Sequence, residues 1–136
     1  MKTIITAIIC ICTVTIISAQ SSKLSGNWSI YEFTTTNNNV SNTQTESDLK
    51  KEKAIWDLIF MDENKFKQSS NMRTGNIESR FGTWKVTTDK LILNLIVNDN
   101  EIQLEYGYEI ANDVLVLNRN NPSGSMKIIS KFRRKV

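Results

Sequence analysis

The side chains that carry most enzyme chemistry are scarce in this sequence. Histidine is absent from all 136 residues, and the two cysteines, Cys10 and Cys12, both lie near the start of the chain. Without histidine the chain lacks the usual general base near neutral pH and the commonest metal ligand. A glycine-rich phosphate loop and a serine nucleophile motif are missing as well. We therefore expect no metal, no cofactor and no enzyme activity.

Carboxylates are the groups left for catalysis, and they make an enzyme the least favoured hypothesis. The candidates are Asp57, Glu78, Glu105 and Glu109. The alternation of apolar and polar residues predicts that all four lie on outward strand faces, where pKa values are rarely perturbed. Since no two of them form an evident acid–base pair, no catalytic residue is predicted.

A second set of residues indicates binding. These are aromatic, aliphatic and polar side chains that the alternation places on the buried faces of strands, and they are Trp56, Phe60, Phe66, Gln68, Arg80, Trp84, Leu93, Tyr106 and Tyr108. An apolar cavity with a few convergent polar groups is typical of a ligand site. Arg80 would then pair with the carboxylate of an amphipathic ligand through its two-pronged guanidinium. The alternative is that the rings fill the interior unaided and that Arg80 extends from a rim into water.

The elements that would position these residues are β-strands. Runs that alternate apolar and polar residues are interrupted at short intervals by Asn, Asp, Gly or Ser, which is typical of successive antiparallel strands. Eight strands are predicted, over residues 24–35, 54–61, 65–72, 77–87, 90–97, 101–111, 114–119 and 126–134. The polar residues 34–48 are expected to form a long exposed loop, followed by a short helical turn over 48–53 that Ser47 or Asp48 would cap.

Short turns between the predicted strands favour an up-and-down meander. Eight strands that are each apolar on one face can split into two sheets or close into a barrel, and closure alone removes the exposed edges. We therefore predict an all-β fold, an eight-stranded antiparallel up-and-down β-barrel. A two-sheet sandwich remains the alternative because four isoleucines fall on supposedly outer faces, namely Ile55, Ile59, Ile92 and Ile96.

The first 19 residues have the pattern of an export signal. Lys2 supplies the charge, residues 4–17 form the apolar run, and Ser18 and Ala19 make a small-residue cleavage site. This run is shorter than the roughly 20 apolar residues that a membrane span needs. We therefore expect cleavage that leaves one domain over 20–136, without cysteine, in the periplasm or outside the cell. A lipid anchor is the minor alternative, but it would need a cysteine at the end of the apolar run.

Two segments of the chain share the pattern Gly-x-Trp. Gly26 and Trp28 open the first predicted strand, and Gly82 and Trp84 lie in the fourth. At the start of an exported eight-strand meander, this pattern resembles the opening motif of lipocalins, and residues 23–134 look like the small lipocalin-like domains of exported bacterial proteins. In that family an arginine near the chain end packs across the first tryptophan and closes the barrel.

The resemblance thus implies a structural pair, Trp28 with Arg134, within about 6 Å of each other. Arg133 is the alternative partner. The resemblance also implies a non-enzymatic protein that binds a small apolar or amphipathic ligand inside the barrel. The competing hypothesis is a protein-interaction module with a filled core that recognises an envelope or secreted protein through its loops, chiefly residues 34–53.

The net charge of the chain bears on whether its partner could be a nucleic acid. The formal charge is +3 for the whole chain and falls to +2 when Lys2 leaves with the signal, and acidic and basic residues are interspersed. This balance argues against nucleic-acid binding. The basic residues near the C-terminus are predicted to be a solvated edge that discourages strand-to-strand aggregation. The pattern leaves the oligomeric state open.

Overall fold

A computed structural model describes residues 19–136, so nearly all of the expected export signal lies outside the described residues. Residues 19–24 are helical, and one further helix, α1, spans Glu46–Lys51. Nine strands make up most of the domain: β1 (Gly26–Asn37), β2 (Val40–Gln44), β3 (Trp56–Phe60), β4 (Lys65–Ser70), β5 (Glu78–Val86), β6 (Lys90–Val97), β7 (Asn100–Ala111), β8 (Val114–Asn120) and β9 (Met126–Arg134). Each of the eight predicted strands corresponds to one of these, and β2 is additional.

Eight of the nine strands close into a barrel. Strand β1 pairs with β3 through its first residues, β3 to β9 pair in chain order, and β9 pairs back onto β1. Every pairing is antiparallel. The closed barrel predicted from the sequence is therefore confirmed, and the sandwich is not formed. Within residues 19–136, no helix has the length and apolar character needed to cross a bilayer.

The polar residues 34–48 differ from the predicted loop. Strand β1 continues to Asn37, turns at Asn38 and Asn39 with φ of 47° and 63°, and returns as β2. Asparagine tolerates these left-handed angles, and two such residues suit the tight turn of a hairpin. Hydroxyl pairs join the two strands, including Thr34 with Thr43 at 2.9 Å. With no apolar face to reveal it, the hairpin was not predictable from alternation.

Helix α1 begins two residues earlier than the predicted helical turn, and its cap is Thr45. The Thr45 hydroxyl accepts a hydrogen bond from the Asp48 backbone N–H, while the Asp48 carboxylate accepts one from the Thr45 backbone N–H. This reciprocal arrangement satisfies two N–H groups that a helix start leaves free. The prediction of Ser47 or Asp48 as the cap is thus wrong.

One half of the barrel interior, the base half, is filled by side chains. It lies at the end where β1 begins and β9 ends. Phe60 packs against Phe66 and Trp84, with ring centres 5.1 and 5.3 Å apart. The buried residues of the core are Leu24, Trp28, Leu58, Phe60, Phe66, Trp84, Leu91, Leu93, Leu95, Tyr106, Leu115, Leu117 and Phe132.

Arg134 closes the base of the barrel. Its guanidinium carbon lies 4.2 Å from the centre of the Trp28 ring, inside the 6 Å range expected from the resemblance. The same guanidinium donates hydrogen bonds to the backbone oxygens of Lys23 at 2.6 Å and Ser25 at 2.7 Å. Arg133, the alternative partner, instead lies over Tyr31 at 4.5 Å. Arg134 thereby ties the end of β9 to the residues that precede β1.

Candidate functional site

A cavity of about 400 Å³ occupies the other half of the barrel, the mouth half. It lies among the end of β4, the start of β5, the end of β8 and the start of β9, opposite the base. Its lining residues are Phe33, Trp56, Gln68, Ser70, Met72, Arg73, Glu78, Arg80, Leu104, Tyr106, Arg119 and Ile128. The barrel interior is therefore divided between a packed core and an open chamber.

Aromatic and aliphatic side chains form the deeper wall of the cavity. Trp56 makes edge-to-face contacts with Phe33 and Phe132, with ring centres 6.2 and 5.2 Å apart. These contacts hold the indole in place on the cavity wall. Tyr106 is buried, and that burial raises the pKa of its phenol, so the hydroxyl stays neutral at physiological pH. The deeper wall is suited to apolar ligand groups.

Charged side chains surround the upper cavity, and most of the charge is positive. Arg73, from the loop between β4 and β5, binds both carboxylate oxygens of Glu78 at 3.0 and 3.1 Å. Arg80 contacts the same carboxylate at 3.3 Å. The hydrogen bond from Arg73 holds the pKa of Glu78 below its usual range, so this carboxylate is charged at neutral pH. Three arginines and one glutamate leave an excess of two positive charges.

Arg119 is the third cavity arginine, and its environment differs from that of the other two. Its guanidinium carbon lies 5.5 Å from the centre of the Tyr106 ring. Within residues 19–136, no carboxylate lies within ion-pair distance of it. Arg119 is therefore free to bind an incoming anion without breaking an existing ion pair.

Two polar atoms of the cavity-lining residues are buried without a hydrogen-bond partner among the described residues. They are Nε1 of Trp56 and Oε1 of Gln68. Gln68 lies directly across from Arg80 in the β4–β5 pairing. Unsatisfied polar atoms are rare in folded proteins and each costs free energy, so sites that contain them are commonly completed by water or a ligand.

The structure brings together four of the nine residues predicted to line the lumen. Trp56, Gln68, Arg80 and Tyr106 line the cavity, and the buried Tyr106 also belongs to the core, so it lies at the boundary between the two. Phe60, Phe66, Trp84 and Leu93 belong instead to the packed core. Tyr108 packs against that core and its hydroxyl donates to Oε1 of Gln20 at 2.8 Å. Alternation identifies the face of a strand but not the depth along the barrel, which explains this division.

The position of Glu78 differs from the one predicted from the sequence. It was predicted to face outward, whereas it lines the cavity beside Arg80. The two residues are two positions apart on β5, so they share a face, and the alternation already contained this signal. Arg119 could have been found in the same way, since it shares a face with Leu115 and Leu117. Arg73 lies in a loop, where alternation gives no information.

The other carboxylates considered for catalysis do not enter the cavity. Asp57 lies on the outside of β3 and pairs with Lys135 at 2.8 Å, while Glu105 and Glu109 are exposed on β7. Within residues 19–136, no three His, Cys, Asp or Glu side chains converge as metal ligands would. The arrangement at the cavity is one of an apolar wall and cationic groups, which can bind and orient a molecule.

No protein-family model matches this sequence, and no curated protein matches it. Solved structures do match. A lipocalin-like protein from Bacteroides uniformis covers 83% of this chain and 99% of its own length, with 17% sequence identity and a TM-score of 0.57. The fold of this chain is lipocalin-like.

Two further structures align over a similar extent. An uncharacterized protein from Bacteroides eggerthii covers 82% of this chain and 98% of its own, at 12% identity and a TM-score of 0.51. A mutant of the fluorescent protein UnaG covers 85% and 98%, at 13% identity and a TM-score of 0.46. At such low identity, the likeness to the two Bacteroides proteins concerns the fold alone, and the ligand has to be argued from the cavity itself.

Proposed function

We propose that this protein is an exported, non-catalytic binding protein that holds one small amphipathic anion in the mouth half of its barrel. The observation that carries the proposal is the cavity of about 400 Å³, with an apolar deeper wall and an excess of positive charge above it. Its size falls in the range of small-molecule sites. An eight-stranded barrel has an interior just wide enough for one such ligand.

The charges of the cavity favour a ligand with an anionic head and an apolar body. Glu78 already occupies Arg73 and Arg80, whereas Arg119 has no ion-pair partner among the described residues. A ligand carboxylate would therefore bind Arg119 first and then compete with Glu78 for Arg80. Guanidinium groups bind carboxylates through two parallel hydrogen bonds, which would fix the orientation of the head. The apolar body would lie against Trp56 and Leu104.

Export is supported by the sequence pattern of the first 19 residues. Cleavage after Ala19 would leave Gln20 and Leu24 in the mature chain, and both contribute contacts at the base of the barrel. The alternative function, a protein-interaction module, depended on a barrel filled by its own side chains. The cavity argues against a filled barrel. Residues 34–53, which were expected to form a recognition loop, form a hairpin and a helix instead.

The proposal is tested by ligand binding to purified protein that starts at Gln20. Native mass spectrometry would detect any bound small molecule, and titration with palmitate and with its uncharged alcohol would separate head-group binding from binding of the chain. Loss of one charge-assisted contact in Arg119→Gln or Arg80→Gln should weaken palmitate binding by about tenfold or more. Binding of the alcohol should change little.

Arg133→Gln is the matched control, because it removes a guanidinium outside the barrel. It should bind palmitate as the parent does. A Leu104→Trp variant, which fills the cavity, should lose both ligands. The proposal is wrong if neither ligand binds the parent protein, or if Arg80→Ala retains all of a lipid that co-purifies with the parent.

A further inference from the structure

An apolar patch lies on the outer wall of the barrel, away from the cavity. Phe81 on β5 and Ile96 on β6 are direct partners in the strand register, and their side chains are 57% and 53% exposed. Two large apolar side chains that are side by side and more than half exposed leave a contiguous surface that water solvates poorly.

A charged residue lies at each end of this patch. Lys67 on β4 is the register partner of Phe81, and Glu101 on β7 is the register partner of Ile96. The four residues therefore form one row across four strands, which we call the Phe81 row. Because neighbouring strands are about 4.8 Å apart, the two strands that carry these charges, β4 and β7, are about 14 Å apart along the row. Along the row, a positive side chain is followed by two apolar side chains and then by a negative one.

The charges of the Phe81 row have no ion-pair partner among residues 19–136, whereas charges nearer the base on β4 and β7 do. Lys65 pairs with Glu63 at 2.7 Å, and Glu105 pairs with Lys90 at 3.2 Å. Lys67 instead places its Nζ 5.5 Å from the centre of the Phe81 ring, a cation–π contact at an exposed site. The row thus combines poorly solvated apolar surface with two opposite charges that remain available.

We propose that the Phe81 row binds the Phe81 row of a second copy of this chain, forming a two-fold symmetric dimer. The symmetry axis lies parallel to the strands, between β5 and β6. Rotation about it places Phe81 of one copy against Ile96 of the other, and Lys67 against Glu101 at both ends. The barrel surface curves away from the centre of the row, and lysine and glutamate are long enough to bridge the widening gap.

Charge selects this orientation over the other two-fold arrangement. An axis along the row would place Lys67 against Lys67 and Glu101 against Glu101, and both contacts are repulsive. The next row toward the base contains Thr83 of β5 and its register partner Asn94 of β6. The favoured axis places Thr83 of one copy against Asn94 of the other. These side chains can exchange hydrogen bonds. A second copy therefore satisfies the apolar and the charged parts of this surface together.

The test is a charge-swap series measured by sedimentation velocity across a wide protein concentration range. The parent chain, starting at Gln20, should show a concentration-dependent monomer–dimer equilibrium. Lys67→Glu and Glu101→Lys should each raise the dimer dissociation constant about tenfold or more, because each creates two like-charge contacts. The double variant should return most of the parent affinity. Ile96→Lys should abolish the dimer.

Lys127→Glu is the control, since it makes the same charge change on β9, away from the row. It should dimerise as the parent does. Circular dichroism of each variant would verify that the barrel is folded. The proposal is overturned if the parent stays monomeric at all concentrations, or if the single charge reversals leave the dimer dissociation constant unchanged. It is also overturned if the dissociation constant of the double variant remains as high as those of the single variants.

Discussion

Arg134 shows how much one residue can contribute to this fold. Its guanidinium covers Trp28 and donates to two backbone oxygens, and its Nε lies 3.0 Å from Oδ1 of Asp113. The indole of Trp28 in turn donates to the backbone oxygen of Leu24 at 2.8 Å. These contacts join the last strand, the first strand and the residues before it. The resemblance of the Gly-x-Trp pattern to the opening motif of lipocalins made this contact predictable.

Replacing Arg134 by alanine should destabilise the protein strongly. The change removes a cation–π contact and charge-assisted hydrogen bonds to two carbonyl groups, so we expect a loss of about 2–4 kcal/mol in the free energy of unfolding. Urea denaturation followed by tryptophan fluorescence would measure it. Arg133→Ala is the control, because Arg133 makes only exposed contacts, to Tyr31 and Glu46, and should lose about 1 kcal/mol or less. Equal losses would contradict the role of Arg134.

At the scale of elements, the glycine of the second Gly-x-Trp pattern allows two strands to approach closely. A Cβ on Gly82 of β5 would lie 1.8 Å from the backbone oxygen of Asn94 on β6. Only a residue without a side chain fits there, which gives the pattern a physical cause. The hairpin of β1 and β2 is the contrasting case, because its threonines and asparagines form strands without any apolar alternation.

Gly82→Ala should therefore separate β5 from β6. Because the new methyl group meets backbone rather than a flexible side chain, we expect a loss of about 3 kcal/mol or more, or failure to fold. Gly107→Ala is the matched control in β7, where the added Cβ would meet the side chain of Asn118 at 2.6 Å. That side chain can move, so the loss should be clearly smaller. Thermal melts of both variants would test this, and similar melting temperatures would contradict it.

At the scale of the whole molecule, the chain divides its barrel into a base that provides stability and a mouth that is free to bind. Residues before β1 complete the base, since Leu24 is fully buried in the core and Gln20 bonds Tyr108. The cavity residues come from β1, β3, β4, β5, β7, β8, β9 and the β4–β5 loop. Closure between β1 and β9 is what brings them to one chamber.

Leu24→Ala should test this division. Removing a fully buried leucine side chain should lower the free energy of unfolding by about 2–5 kcal/mol. Ligand binding at the mouth should be retained below the melting temperature. Lys23→Ala is the control, because Arg134 contacts the backbone oxygen of Lys23 and not its side chain. Denaturation and palmitate titration of both variants would measure the two effects. A Leu24 variant that keeps full stability would show that the base does not depend on this segment.

The sequence by itself determined the eight barrel strands and most of their inward faces. These properties are local or periodic, because successive side chains of a strand alternate between two faces. Tertiary structure alone decided which inward residues fill the base and which line the mouth, since depth depends on how the closed barrel staggers its strands. It also brought Arg73 onto Glu78, because alternation does not place a residue of a loop. It aligned Lys67, Phe81, Ile96 and Glu101 into one row, because the register of each strand pair depends on the conformation of the turn that joins the strands.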